Sequence, residues 1–510
     1  MSSWVRPLSA TVEEPASLVG GKAHGLVVLQ RLGLPVPPGF VVTTEACRAF
    51  LRDGRLPAGL DVQLASAVAV LEAVTGRRFG GPARPLAVSV RSGGGVSMPG
   101  MMSTVLNLGL TAEATAGLAA ETGDLRFALD ARRRFLSSFA AAVAGLEPGR
   151  AGEPVPDDAT RQLEVAVAAV FASWDSPRAR TYRELHAIPD GLGTAVTVQA
   201  MVFGNRDDHS GSGVAFSRNP STGERALFGE VLFGRQGDDV VAGRSLTRPL
   251  HELADREPTV WARLLAALDR IERHYRDACC VELTFEAGRL WILQVRPARL
   301  VGRAAVRVAV DLADEGRIGR PEALLRVAPR HLDHVRTPRI AAADAVDLFT
   351  RGVGASPGVA VGGVATTADG AARMAAEGPV ILVRPVTSPL DLHGLAAAAG
   401  VVTARGGPAS HAAVVARAMG KPAVVGASDL TIDVAAGAVR AGGRTLPEGA
   451  RIAIDGTGGE VVAGNPRVVA ATADPHLHRL LEWADEVAGG DAGRSEAERL
   501  SAAHAVLVPS

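Results

Sequence analysis

Lysine is nearly missing from this chain. Among 510 residues it stands only at Lys22 and Lys421, while arginine supplies the other 52 of the 54 basic residues. With alanine, glycine and valine abundant, this fits a coding pressure that exchanges lysine for arginine wherever a planar fork serves as well as a compact ammonium. Both survivors lie beside glycine. Each marks either a site that needs an ammonium or a tolerant turn; the first reading leads for Lys22, and the two balance for Lys421. Cysteine is scarce too: Cys47, Cys279 and Cys280 form no C-x-x-C pair and no even framework, which excludes a disulfide scaffold and fits a reducing compartment. There is no apolar leader and no run of membrane-spanning length, so the sequence reads as cytoplasmic with no membrane partner. Basic and acidic residues balance at 54 each, so no long-range field draws the chain to nucleic acid. A hydrophobic fraction of 47% over this length fits a globular protein of about two to four domains.

What is present is a series of short motifs between helical and extended patterns. The stretch "SLVGGKAHGLVVLQRLGLPVPPGFVVTT" reads as loop, helix and strand, with Leu26, Leu29 and Leu32 on one helix face and "PVPPG" ending it. "LAVSVRSGGGVSMPGMMSTVLNLG" reads as strand, glycine-methionine loop and strand, and the following residues to about 185 are helical. Strands return in "GTAVTVQAMVFG", "GSGVAFSRNP" and "RALFGEVLF", and "CCVELTFEAGRLWILQVRP" reads as a hairpin turning at Glu286-Ala287-Gly288. The expected domains are 1–110, a helical insert 111–190, a strand-rich 191–300, a helical linker 301–350, an α/β unit 351–466 and a tail 467–510. The tail holds the helix "LHRLLEWADEV" and is then expected to fray.

Three stretches carry chemistry. "GGK" before a helix offers backbone N–H groups and the Lys22 ammonium to a phosphate, and Arg91 ends a strand before a glycine loop able to cover one. In the hairpin, Gln294 and Arg296 share a face by the strand period. Glu282 and Gln294 present oxygen ligands for a divalent cation, and Arg296 suits a phosphate. A surface salt bridge is the plainer reading, but apolar neighbours make three polar side chains there costly without a ligand. In "TARGGPASHAAVVARAMGKP", Ser410 is placed to cap a helix that begins at His411, where unpaired N–H groups favour added negative charge. Arg405 and the N–H groups of Gly406 and Gly407 are placed to help hold it. His393, 18 residues away, is too distant in sequence for a metal pair with His411. Physical reasoning alone leaves phosphocarrier and general base both open for His411.

The blocks "GGKAHGL", "SVRSGGGVSMPGMMSTVLNLGL", "FASWDSPRARTYRELH", "GTAVTVQAMVFGNRDDHSGSGVAFSRNPSTGE", "GDDVVAG" and "GGPASHAAVVARAMGKP" together resemble the pyruvate, phosphate dikinase family of phosphoenolpyruvate-utilising enzymes. The resemblance runs from about residue 17 to residue 487. It implies an α/β and α+β multidomain fold: an ATP-grasp-like nucleotide-binding domain with a helical insert, plus a swivelling phosphohistidine α/β domain. By motif match, Lys22, Arg91, Glu282, Gln294 and Arg296 bind nucleotide and Mg²⁺, with Glu282 and Gln294 as metal ligands, and His411 carries the phosphoryl group. Thr403 belongs to the loop that supports it. A monovalent cation is a further expected activator. In the family, ATP pyrophosphorylates the histidine and leaves as AMP, inorganic phosphate removes pyrophosphate, and the histidine domain delivers the phosphoryl group to pyruvate on a C-terminal barrel.

The sequence departs from that pattern in several places. The barrel has no counterpart, so the expected acceptor is pyruvate on a separate barrel protein or some other phosphoryl acceptor, and a homodimer is compatible. The family's D-x-E reads Cys280-Val281-Glu282, Ala409 stands where relatives carry a regulatory threonine, and Ala404 and Pro408 replace the usual glutamate and methionine. The helical insert near 145–155 is shorter by roughly a helical hairpin. Besides the dikinase-type partial reaction, two other functions are compatible: a phosphohistidine phosphotransferase or ATP-dependent ligase acting on a specialised small molecule, and a degenerate nucleotide-sensing scaffold.

Overall fold

The chain divides into two units, each with its own buried apolar clusters. The computed structural model describes residues 3–508 apart from 97, 99–100, 145–154, 238, 240–246, 299, 301, 333–334, 336–337, 342–346, 470–473 and 491–492. The expected shortening of the insert near 145–155 and most of the "GDDVVAG" block lie outside the described residues. The first unit comprises residues up to Asp207 together with Phe285–Val295; the second comprises Asp208–Thr284 and Arg296–Ser510.

In the first unit, strands β1 (Val5–Pro7), β2 (Gly39–Val42), β3 (Val88–Gly94), β4 (Thr104–Leu108) and β5 (Thr194–Ala200) form a sheet in the order β1-β2-β5-β3-β4. All neighbouring pairs are antiparallel, with Phe40 and Val90 both opposite Val198. Helix α1 (Ala16–Arg31) packs Leu26 and Leu29 inward. Two helices went unread in the sequence, α2 (Thr44–Asp53) and α3 (Leu60–Thr75). The valine and alanine content of α3 gives no clean amphipathic period, whereas α2 is short but has a sharp apolar face built on Ala46, Cys47, Ala49 and Phe50. The helical region follows as α4 (Ala112–Thr122), α5 (Leu125–Val143), α6 (Ala159–Ala172) and α7 (Pro177–Leu185). Asp124 caps α5 through the N–H groups of Arg126 and Phe127 at 2.8 and 3.0 Å. Phe135 and Phe139 then join the sheet's core.

In the second unit, β6 (Gly211–Phe216), β7 (Phe228–Phe233), β8 (Arg248–Pro249) and β9 (Cys279–Glu286) are ordered β8-β7-β6-β9, and the expected hairpin turn leads into β10 (Arg289–Pro297), most of which belongs to the first unit. Its turn has Ala287 and Gly288 both at positive φ. Helix α8 (Pro258–Tyr275) carries Glu272, which takes Arg218 at 2.9 Å; both are buried, and Glu315 adds a second carboxylate at 3.0 Å. Residues 301–350 were expected to be helical linker, and they hold helices α9 (Arg303–Asp314) and α10 (Arg320–Arg326) but also two strands, β11 (Arg339–Ile340) and β12 (Leu348–Arg351).

Further strands are β13 (Val353–Ser356), β14 (Val359–Ala365), β15 (Val380–Arg384), β16 (Gly400–Thr403), β17 (Ala423–Val425), β18 (Arg451–Asp455), β19 (Glu460–Ala463) and β20 (Val468–Val469), while Thr431–Asp433, Ala438–Ala441 and Arg444–Pro447 form a separate three-stranded sheet. An eight-stranded sheet runs β12-β19-β18-β14-β15-β16-β17-β13, in which β14, β15, β16 and β17 are parallel neighbours. Helices α11 (Leu392–Ala397) and α12 (His411–Ala418) make the crossovers after β15 and β16. The loops leaving β15 and β16 therefore emerge at the same sheet end, where α/β proteins build their sites. Strands β11 and β20 pair with each other, so the connections entering and leaving this sheet run side by side.

The expectation of a fraying tail is wrong. After α13 (Pro475–Ala488) a second helix, α14 (Glu496–Leu507), buries Leu500 and Ala503 in the core that holds Leu477 and Trp483. Ser495 and Glu498 form a reciprocal capping box. The polar, small-residue composition concealed that start signal.

Gly20 supplies a stability test. Its φ is +79°, and a Cβ there would lie 1.6 Å from the Gly93 carbonyl oxygen, whereas a Cβ on Gly21 has 3.5 Å to its nearest neighbour. Gly20→Ala is expected to cost at least about 3 kcal/mol in urea or thermal unfolding. Gly21→Ala is expected to stay within about 1 kcal/mol. Equal effects would show that the close approach to Gly93 is not a constraint.

Candidate functional site

The break at Gly20 starts the continuous part of α1 one turn late, so Gly21 and Lys22 occupy its first turn. Gly20 sits against the Gly93 carbonyl and the Lys22 Cβ lies beside Gly93, which brings the "GGK" motif onto the end of β3. Arg91, on the same strand, donates from Nη2 to Gln199 Oε1 at 2.6 Å and to the Leu293 carbonyl at 3.4 Å. Gln294 follows on β10 and is half-buried. The first unit thus brings Lys22, Arg91 and the backbone beside Gln294 together. Glu282 and Arg296 belong to the second unit.

On β9, the strand period puts Cys280 and Glu282 on one face. Cys280 is fully buried, and burial pushes its thiol up while the Arg296 guanidinium pulls the other way. Arg296 Nη2 lies 3.9 Å from Glu282 Oε1, too far for a hydrogen bond. Glu282 therefore keeps oxygen lone pairs for another ligand. Among the described residues no three His, Cys, Asp or Glu side chains converge on one point.

The histidine loop is built more tightly. After β16 the chain turns through Gly406, at φ +94°, and Ser410 N–H closes the turn on the Gly407 carbonyl at 2.9 Å. His411 opens α12, where the helix dipole and free N–H groups favour an anion. From the neighbouring loop, Thr387 Oγ1 lies 3.1 Å from His411 Nδ1. Asp391 is held by the Ser388 N–H at 2.8 Å, the Ser388 hydroxyl at 3.0 Å and Arg384 at 3.2 Å. Burial lowers the His411 pKa below 6.5, and the Asp391 charge opposes that shift in part. The imidazole is consequently neutral at pH 7, with Nε2 free of protein hydrogen bonds among the described residues.

Two buried polar side chains hold this loop, and burial raises the pKa of one of them, Glu230. Glu230, on β7, takes the Ala409 N–H on Oε1 at 2.9 Å. Its Oε2 lies where a Cβ on Gly407 would collide at 1.8 Å, so that position accepts only glycine. Arg417, on α12, donates from Nη2 to the Pro408 carbonyl at 2.6 Å and from Nη1 to the Ala355 carbonyl at 2.7 Å. The hydroxyls of Thr403 and Ser410 are buried and make no hydrogen bond among the described residues.

Similarity to known proteins follows the same two segments. A family model described as "Pyruvate phosphate dikinase, AMP/ATP-binding domain" matches residues 16–77 and 53–251, and one described as "PEP-utilising enzyme, mobile domain" matches residues 376–459. The chain is 41% identical to a pyruvate, phosphate dikinase of Rhizobium meliloti (strain 1021), over 95% of this chain and 60% of that protein. It is 42% identical to pyruvate, phosphate dikinase 2 of Zea mays, over 92% of this chain and 58% of that protein. It is 39% identical to the pyruvate, phosphate dikinase of Clostridium symbiosum, over 95% and 61%. The chain belongs to the pyruvate, phosphate dikinase family. It spans between about half and three fifths of the length of the curated relatives it matches.

As a member of this family it has the mixed α/β multidomain architecture expected, with an ATP-grasp-like nucleotide-binding region and a swivelling domain. No helix among the described residues is long and apolar enough to cross a membrane. Some residues behave differently from expectation. Ser410 occupies the N-cap position of α12, but its hydroxyl makes no capping bond. Arg405 is exposed, and its backbone N–H is engaged with the Pro385 carbonyl. Lys421, left balanced between two readings, is a structural residue. Its ammonium bonds the Ala396 and Ala398 carbonyls at the end of α11.

Sequence reasoning missed Glu230, Thr387, Asp391 and Arg417. Glu230 and Arg417 had a usable signal, a lone charge inside an apolar strand and inside an alanine-rich helix. Thr387 and Asp391 had none, because 24 residues separate Thr387 from His411 and only the parallel strand pairing joins them.

The lowered His411 pKa gives a signed expectation. Between its folded value and 6.5 the unfolded chain binds more protons, so this group costs stability progressively as pH falls through that window. Imidazole NMR is expected to show His411 titrating below 6.5, and a midpoint above 6.5 would contradict its burial. In Thr387→Val the bond to Nδ1 is lost, and the resonance pattern of the ring nitrogens is expected to shift.

Proposed function

We propose that this chain phosphorylates His411 from ATP and inorganic phosphate, as the first half of a dikinase reaction. The observation that carries the reading is the state of His411: a neutral imidazole at a helix N-terminus, Nδ1 on a threonine hydroxyl and Nε2 unengaged. With Nδ1–H donating to Thr387, the Nε2 lone pair attacks the β-phosphorus of ATP and the bond to the α-phosphate oxygen breaks, releasing AMP. Positive charge developing on the ring is stabilised by Asp391. An oxygen of inorganic phosphate then attacks the terminal phosphorus, pyrophosphate leaves, and one phosphoryl group remains on Nε2. Thr403 and Ser410 hydroxyls, the Gly406 and Gly407 N–H groups and Arg405 are assigned to its oxygens.

Lys22, Arg91 and Arg296 are assigned to the nucleotide phosphates, and Glu282 with Gln294 to Mg²⁺, which neutralises polyphosphate charge when bound. The free lone pairs of Glu282 support that assignment. A monovalent cation is a further candidate activator. The phosphoryl acceptor we favour is pyruvate, bound by a barrel that these residues do not include, with residues 351–466 acting as the carrier between the two sites. Because Cys280 leaves Arg296 without a short carboxylate partner, a second reading stays in play: transfer to a specialised small molecule by phosphotransferase or ligase chemistry. A nucleotide-sensing scaffold would leave His411 unmodified.

ATP labelled at the β-phosphate, with Mg²⁺ and inorganic phosphate, is expected to give acid-labile, base-stable label on the protein and none on His411→Ala. Absence of label on the wild type under every cation condition would overturn the proposal. Cys280→Asp is expected to raise the labelling rate roughly tenfold, or ~1.4 kcal/mol in barrier. An unchanged or lower rate would mean no carboxylate is needed there.

A further inference from the structure

The peptide unit joining Pro408 to Ala409 is gripped at both ends by buried side chains, an arginine and a glutamate. Its carbonyl accepts from Arg417 Nη2 at 2.6 Å, and its N–H donates to Glu230 Oε1 at 2.9 Å. Arg417 is 4% exposed and Glu230 2%. No carboxylate lies at ion-pair distance from Arg417 among the described residues; its second fork nitrogen is spent on the Ala355 carbonyl of β13 at 2.7 Å. Side chains on a helix lean toward its N-terminus, so Arg417 reaches back along α12 to the loop that precedes His411.

An arginine buried without a carboxylate is expensive, and a purely structural contact to two carbonyls is within reach of a neutral amide. What the guanidinium adds is a planar fork that fixes two acceptors at once. Here those acceptors are the last turn before the reactive histidine and the sheet strand under it. The opposite end of the same peptide is fixed by Glu230, and Gly407 leaves the space for that carboxylate.

We propose that Arg417 is a positioning residue for phosphoryl transfer: it orients the Pro408–Ala409 peptide toward Glu230 and thereby sets the aim of His411 Nε2. This rests on the assignment of His411 as phosphocarrier. Arg417 is buried with both fork nitrogens on main-chain carbonyls, so it acts through the loop. The peptide, hydrogen-bonded to the guanidinium at its oxygen and to the Glu230 carboxyl oxygen at its N–H, resists rotation, and Ser410 then leads directly to His411. Because both side chains act on one peptide, removing either releases it, and removing the second adds little.

The test uses the full chain and the labelling assay, with Arg417→Lys, Arg417→Met, Glu230→Gln and the double variant Arg417→Lys/Glu230→Gln. Displacing a reactive group by about an ångström costs on the order of a hundredfold. The expected result is a labelling rate lowered roughly 10- to 100-fold in Arg417→Lys, with KM for ATP unchanged and the far-UV spectrum retained. The double variant is expected to lose no more than about threefold beyond the worse single one. Imidazole NMR is expected to show the His411 ring nitrogens shifted in Arg417→Lys, a readout that a general stability loss would not move. Should Arg417→Met fail to fold, Arg417→Lys carries the test. Normal labelling in a folded Arg417 variant, a KM effect alone, or fully multiplicative losses in the double variant would overturn the inference. Failure of the wild type to label would instead refute the phosphocarrier assignment beneath it.

Discussion

Arg417 holds a positive charge inside the protein, and two main-chain carbonyls stand where a carboxylate would be expected. Burial lowers its pKa to about 10, still far enough above neutrality to keep the guanidinium charged. Hydrogen bonds to a charged group contribute more than neutral ones, on the order of 1.5–3 kcal/mol each, so the fork offsets part of its desolvation. The rest of the site is arranged around the loop this fork secures. Gly407 must lack a side chain, Glu230 must reach across from another strand, and Ala409 must be small and buried. His411 then stands on a fixed base.

The histidine itself is tuned by opposing effects of unequal size. Desolvation favours the neutral ring, and the Asp391 carboxylate favours the charged one, with desolvation ahead. That order suits a nucleophile, since an imidazolium has no lone pair to give. Asp391 is itself restrained by Ser388 and Arg384, so it influences the ring from a defined position. The same logic explains Cys280: in full burial beside Arg296 a neutral thiol is tolerated, and Glu282 is the carboxylate left on that strand face.

Much of the local structure was readable because the relevant signals are short-range. The helix at Gly21–Lys22, the strands around Arg91, the hairpin turning at Ala287–Gly288 and the start of α12 at His411 each depend on residues within a few positions. Where short-range signals were weak, reading failed. Helix α3 carries no sharp apolar period, and α14 hid its capping box in a run of alanine, glycine and acidic residues. Ser410 shows the opposite failure, a residue with the right identity and backbone for a cap whose hydroxyl points elsewhere.

Sequence by itself singled out His411 as the candidate residue and left its role open. A histidine at the head of a helix, a glycine-lysine motif and a Glu-Gln-Arg hairpin are patterns set by periodicity and residue type. Only the tertiary structure decided how that histidine is held. Thr387 meets His411 because β15 and β16 are parallel neighbours whose loops leave at one end. Glu230 meets Ala409 across 179 residues of sequence. No local pattern encodes such contacts, because they depend on the order in which strands pair. Lys421 makes the same point in reverse: its rarity left an ammonium site and a tolerant turn evenly balanced, and its bonds at the end of α11 give it a structural role.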